Sequence, residues 1–101
     1  IQNSGGAIDI VTDPEILAAQ RWLASNEGIF VEPASAASIA GLFKILDSSN
    51  QSAFPSTKIP EGAKIVCTVT GHGLKDPDIA KDQCGALTSV PATREAILRL
   101  L

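Results

Sequence analysis

Lys64-Ile65-Val66-Cys67-Thr68-Val69-Thr70-Gly71-His72-Gly73-Leu74-Lys75-Asp76-Pro77 is the stretch on which the fold turns. Its first half, Lys64 to Thr70, is apolar and β-branched without a break and lies between Gly62 and Gly71. Continuous rather than alternating apolarity predicts a strand covered on both faces, as in a parallel sheet. Glycines on either side of His72 let the backbone turn abruptly and lie close to a planar ligand, with no Cβ in the way. Thr70, the last strand residue, then brings its hydroxyl to the carboxyl end of the sheet, where open α/β folds bind ligands.

Working upstream, Ser48 to Gly62 is polar and Pro-rich and reads as a surface connection. Before it, a helix is predicted from about Ala34, with Ile39, Leu42, Phe43, Ile45 and Leu46 as its apolar residues. Its first turns hold Ala34, Ser35, Ala36, Ala37, Ser38, Ala40 and Gly41, small enough to admit either a neighbouring backbone or a ligand. Ile29-Phe30-Val31 is a short strand candidate stopped by Glu32-Pro33. A first helix is marked by the capping box Thr12-Asp13-Pro14-Glu15. Pro14 is tolerated there because its missing N–H would have no helical partner. Ile16, Leu17, Gln20, Leu23 and Ala24 share a face with Trp22 at its edge, and Gly28 is the expected left-handed terminator. Ile8 to Val11 alternates as a further short strand. Downstream, Pro77 to Gly85 predicts one helical turn. Pro91 to Leu101 predicts a closing helix with Ile97, Leu98 and Leu101 on one side.

Strand, helix, strand, helix, strand, helix implies right-handed βαβ units and an open α/β sheet. Three short strands would leave bare edges, so the expectation is a portion of a larger sheet. The chain opens on Ile1 in a polar segment, which reads as an interior loop of a longer chain.

Composition narrows the partners. With 8 basic and 11 acidic residues spread over 101, the net charge is -3, and no basic stripe offers a nucleic-acid backbone anything to hold. Apolar runs fall short of the ~20 residues of a membrane span, and no signal-peptide pattern is visible. Cys67 reads as a small buried hydrophobe and Cys84 as exposed. Two cysteines make neither a disulfide framework nor, with the single His72, a metal site. The expected compartment is reducing and cytoplasmic.

Two segments are placed to carry chemistry: Val31-Glu32-Pro33-Ala34-Ser35 and Thr70-Gly71-His72-Gly73. The second lacks the third glycine and the acidic partner of a dinucleotide fingerprint, and no Walker loop occurs. Ser35, His72 and Asp76 offer the residue types of a hydrolytic triad, as any globular chain does. His72 reads as a loop histidine with one hydrogen bond, and Lys75 beside Asp76 as a solvated pair rather than a Schiff-base lysine.

Gly28 to Ser38 followed by Thr68 to Pro77 resembles the C-terminal part of threonine synthase. The resemblance covers roughly Val11 to Pro77 and is weak beyond it. It implies the C-terminal portion of an open, mostly parallel three-layer sheet domain of the tryptophan synthase beta-like, fold-type II pyridoxal-phosphate architecture. Residues 1–101 would be one segment of that larger cofactor-binding α/β domain. The implied activity converts O-phospho-L-homoserine and water to L-threonine and phosphate. By the same resemblance Thr70 hydrogen-bonds the pyridine nitrogen of pyridoxal 5'-phosphate, with Gly71, Glu32, Ala34 and Ser35 beside the ring. A carboxylate there would hold the nitrogen protonated, whereas a hydroxyl donates to a neutral nitrogen, so the ring withdraws electrons less strongly.

The family's Schiff-base lysine, phosphate-cradling glycine loop and most substrate-phosphate ligands lie upstream and match nothing in this sequence. No catalytic residue is therefore assigned here, and the segment is expected to be inactive without the N-terminal portion. The implied partners are that portion, the O-phosphohomoserine substrate and a second copy in a homodimer. The alternatives are a sister enzyme, such as a threonine or serine dehydratase, and a non-catalytic α/β ligand-binding module. Sister enzymes commonly carry serine where Thr70 stands.

Overall fold

A computed structural model describes residues 3, 4, 6–47, 59–86 and 88–100. Most of the proposed surface connection Ser48 to Gly62 lies outside the described residues, as does Leu101.

The first helix, α1, spans Asp13–Trp22. Its capping signal forms as the sequence predicts. Glu15 Oε2 accepts from the Thr12 backbone N–H at 2.6 Å and from the Thr12 hydroxyl at 2.8 Å. These bonds favour the ionised carboxylate. The Thr12 backbone bond, then the Thr12 hydroxyl and Lys44, hold the Glu15 carboxyl below its ordinary value of 4.5, against desolvation and Asp9. A depressed acid contributes stability above its unfolded pKa and loses it as pH falls through the folded one. The α1 start is therefore expected to hold at neutral pH and to loosen below the ordinary carboxylate range. A 13C titration of the Glu15 carboxyl should show a midpoint below 4.5 that Thr12→Val moves upward.

The helix does not end as a regular α-helix. Leu23–Glu27 widen into a π turn, and the N–H groups of Gly28 and Ile29 both reach Leu23 O. Ser25 Oγ and Asn26 Nδ2 donate back to the carbonyls of Arg21 and Trp22, at 2.7 and 3.0 Å. Short polar side chains one turn on thus hold carbonyls at the loosened helix end. Gly28, with φ at +67°, terminates the helix as expected.

Glu32 is extended, as the residue before a proline must be, and caps α2, Pro33–Leu46. The two helices pack through small side chains. Ala19 and Leu23 meet Ala36 and Ala40, with Val31 completing the core and Val11, Ile16 and Ile39 at its edge. Ala24, expected on this face, is exposed, and Ala19 takes its place. Trp22 stays at the rim, edge-on to Phe43 with ring centroids 5.1 Å apart. Lys44 Nζ ties the leading segment to α2 through Ile10 O at 2.7 Å and Asp9 at 3.6 Å.

The expected strands are not formed. Among the described residues there is one isolated antiparallel bridge, Val31 to His72, and no sheet. Ile8–Val11 and Lys64–Thr70 have no partner strand, and a strand exists only as one member of a ladder. Ile8, Ile10, Ile65 and Val66 accordingly face solvent, Ile10 at 78% and Val66 at 90% exposure, while Val11 packs at the core edge. Cys67, expected to be buried, is half-exposed. The Lys64 segment lies instead against α2. Ser38 Oγ donates to Thr68 O at 3.1 Å, so this chain's own backbone occupies part of the small-residue face of the helix.

A single turn of tighter helix at Gly73–Lys75 leads into α3, Pro77–Cys84, two turns where the sequence suggested one. The last helix, α4, runs Arg94–Leu98. It starts later than Pro91 because Thr93 Oγ1 accepts from the Ala96 N–H at 3.2 Å and so fixes the N-cap. No helix among the described residues is long and apolar enough to cross a membrane.

Candidate functional site: the crossing of α2 and the Thr70 loop

Thr70, Gly71, Glu32 and Ser35 are brought together where the N-terminus of α2 meets the loop after residue 69. Ala34, on the same first turn, is exposed. Two backbone bonds flank the bridge: Glu32 N–H to Gly71 O at 2.9 Å and Gly73 N–H to Phe30 O at 3.2 Å. They fix the register between the residues before α2 and the glycine loop. Ser35, 6% exposed, adds a third tie. Its Oγ accepts from the Gly71 N–H at 2.7 Å and the Thr70 N–H at 3.2 Å, and stands 3.5 Å from Thr70 Oγ1. Ser35 and Ser38 are one turn apart on α2, so both hydroxyls reach the same segment.

The glycines are needed for closeness. A Cβ on Gly71 would fall on the Glu32 carboxyl, and one on Gly73 on the Phe30 ring. Thr70 itself is exposed, and its hydroxyl stands 3.5 Å from the buried Ser35 Oγ. The residues present therefore fit one edge of a planar ring: a hydroxyl to meet a ring atom, beside backbone held tightly from behind.

Lys75 behaves differently from its expectation. Its Nζ pairs with Glu32 Oε2 at 2.9 Å across the loop rather than standing as a solvated partner of Asp76. Nothing in the linear spacing of residues 32 and 75 signals this pairing; the loop geometry creates it. With Lys75 65% exposed, the pair orders Glu32 more than it stabilises the chain. His72 makes the single loop hydrogen bond expected of it, Nδ1 accepting from the Leu74 N–H at 3.1 Å, and stands edge-on to Phe30. Ser35 and His72 are thus each engaged elsewhere, and no hydrolytic triad assembles.

Sequence reasoning also missed a buried amide relay behind the site. Gln20 Nε2 donates to Val31 O at 2.7 Å, and Gln20 Oε1 accepts from Gln83 Nε2 at 2.6 Å. It joins α1, the Val31 backbone and α3. Only Gln20's place on an otherwise apolar helix face hinted at it.

Comparison with known proteins agrees with the residue pattern. The family described as "Pyridoxal-phosphate dependent enzyme" matches residues 1–71. The chain is 45% identical over 100 residues to threonine synthase of Mycobacterium leprae (strain TN), covering 99% of this chain and 26% of that protein. It is 55% identical over 80 residues to threonine synthase of Methanocaldococcus jannaschii, 79% of this chain and 18% of the relative. The Synechocystis threonine synthase is 50% identical over 84 residues, 83% of this chain and 19% of its own length. Similarity to the mycobacterial protein thus runs well past Pro77, further than the motifs suggested. The chain spans about a quarter or less of these relatives. By sequence and by the family match over its first 71 residues, this chain belongs to the pyridoxal-phosphate dependent enzymes.

Proposed function

We propose that residues 1–101 are the C-terminal segment of the larger cofactor-binding α/β domain of a threonine synthase. That enzyme would convert O-phospho-L-homoserine and water to L-threonine and phosphate. The observation that carries the reading is the Ser35 clamp, which holds the backbone of Thr70 and Gly71 against α2 while Thr70 remains exposed. Similarity to threonine synthases supports it from the sequence side.

In this reading the Thr70 hydroxyl donates to the ring nitrogen of pyridoxal phosphate. Gly71 would let Glu32 pack against the backbone beside the ring, with Ala34 and Ser35 along the same edge. The bound cofactor supplies an electron-accepting ring that stabilises charge developing on the substrate. A hydroxyl partner leaves the ring nitrogen unprotonated, and Lys75 keeps Glu32 in place beside it. The Schiff-base lysine and the phosphate-cradling loop belong to the upstream portion of the domain.

Burial supports the larger domain. Ile8, Ile10 and Val66 are 76%, 78% and 90% exposed. A trough of about 570 Å³ lies open between α2 and residues 59–67, lined by Leu42, Ile45, Ile65 and Val66 among others. The radius of gyration, 18.1 Å, exceeds the ~13 Å of a compact domain of this length. Strands from the rest of the domain would pair with residues 8–11 and 64–70, building the open, mostly parallel three-layer sheet. A homodimeric, cytoplasmic enzyme completes the reading.

Phosphate and threonine release from O-phosphohomoserine is the test. The longer protein carrying this segment is expected to release both in equal amounts, and the 101-residue chain neither. Thr70→Val should lower kcat about two- to tenfold, the scale of one lost hydrogen bond between neutral groups. Turnover by the isolated chain would overturn the reading. So would ammonia and 2-oxo acid release from threonine as the main activity, the signature of a dehydratase.

A further inference from the structure

A hydroxyl has two acceptor lone pairs and one proton. Ser35 Oγ accepts from two backbone amides, Gly71 N–H at 2.7 Å and Thr70 N–H at 3.2 Å, which fill its lone pairs. Its own proton must go elsewhere. Among the described residues no backbone carbonyl is hydrogen-bonded to this hydroxyl. The remaining acceptor in reach is Thr70 Oγ1, at 3.5 Å. Thr70 Oγ1 is then an acceptor on its Ser35 side. Its own proton has no acceptor among the described residues and is left for a group beyond them.

We propose that Ser35 is a positioning residue that orients the Thr70 hydroxyl as a donor, so that this edge of the site selects a ring nitrogen bearing a lone pair over one bearing a proton. The proposal rests on the reading of Thr70 as the partner of the cofactor nitrogen. A direct consequence is that the two amide bonds, structural in appearance, set the protonation state of a ring they do not touch. A side chain at residue 35 without a hydroxyl would free the Thr70 proton to turn inward.

The test uses the longer protein carrying this segment, loaded with pyridoxal phosphate labelled with 15N in the ring. Wild-type protein should give a ring-nitrogen resonance of an unprotonated, hydrogen-bonded pyridine. Ser35→Ala should move it in the direction Thr70→Val moves it, and lower kcat about tenfold. Ser35→Thr, which keeps the hydroxyl, should restore both. Ser38→Ala, which removes the contacts to Thr68 O and Ser35 O but leaves the Ser35 hydroxyl in place, should leave the resonance where it is. In the Thr70→Val background, Ser35→Ala should add no further movement. If Ser35→Ala does not fold, Ser35→Cys, close in volume but weak in hydrogen bonding, is expected to give an intermediate shift.

A resonance unmoved by Ser35→Ala or Ser35→Cys, or moved equally with and without Thr70, overturns the role of Ser35 alone. A wild-type protein that binds no pyridoxal phosphate, or one whose resonance ignores Thr70→Val, overturns the functional reading and this inference with it.

Discussion

Gly73→Ala is expected to destabilise the protein that carries this segment by about 1–3 kcal/mol, the usual cost of forcing extra volume into a filled site. Gly73 is buried, and its missing side chain is the space in which the Phe30 ring lies. The backbone cannot draw back to make room, because the Gly73 N–H donates to Phe30 O at 3.2 Å. Any retreat would break that bond and the register of the Val31–His72 bridge. The ring must therefore swing, and it gives up its edge-on contact with His72, centroids 5.7 Å apart. Urea unfolding of wild type, Gly73→Ala, Phe30→Leu and the double variant checks the cause. The alanine should cost distinctly less where Phe30 has been trimmed, and equal costs in both backgrounds would rule the collision out. Gly71→Ala makes a useful contrast. Its Cβ meets a flexible carboxylate rather than a ring, and Glu32 can rotate away with loss of only its exposed pairing to Lys75. That change should disturb the cofactor edge more than the stability.

These two glycines also show what a sequence can disclose. The pattern Gly-His-Gly announces that something approaches closely, and the structure names the approachers as Glu32 and Phe30 of the same chain. Features fixed within a few residues were legible in the same way: the Thr12–Glu15 cap, the Gly28 terminator, and, to within one residue of Ala34, the start of α2. The site residues were legible as types, because small side chains at 34–38 and a hydroxyl at 70 suit a close crossing. What they do for one another was not. Ser35 reads as one more small helix residue until its oxygen is seen to gather two amides from a segment 35 residues on. The strands failed for a different reason. Apolar, β-branched runs at 8–11 and 64–70 state a preference to pair, and pairing needs a neighbour. Among the described residues none is available, so the preference survives only as exposed Ile8, Ile10 and Val66. The π turn at Leu23–Glu27 was illegible because Ser25 and Asn26 also suit an ordinary helix end.

Gln20→Leu is the second substitution with a large expected effect, and it acts from behind the site. Gln20 is 3% exposed and satisfies two partners at once, the Val31 carbonyl and the Gln83 amide. Leucine fills most of the volume but answers neither. A buried carbonyl or amide left unpaired costs about 1–3 kcal/mol, so the loss should exceed that of a surface change several-fold. The Gln83 end is the more vulnerable, because Gln83 Oε1 is already buried without a partner, and losing the Nε2 bond would leave the amide unsatisfied at both atoms. Removing that amide as well should therefore recover part of the loss: Gln20→Leu with Gln83→Leu is expected to be less destabilised than the sum of the single changes. Gln20→Glu separates hydrogen bonding from packing. At neutral pH its carboxylate can still accept from Gln83 but presents an acceptor to the Val31 carbonyl, and burial raises its pKa. Such a group binds its proton more tightly when folded, so the variant should gain stability as pH falls through that raised value, as the protonated acid regains a donor for Val31 O. Urea midpoints taken between neutral and mildly acidic pH check this. A Gln20→Glu variant with the same pH dependence as wild type would show that the relay contributes volume and not hydrogen bonds.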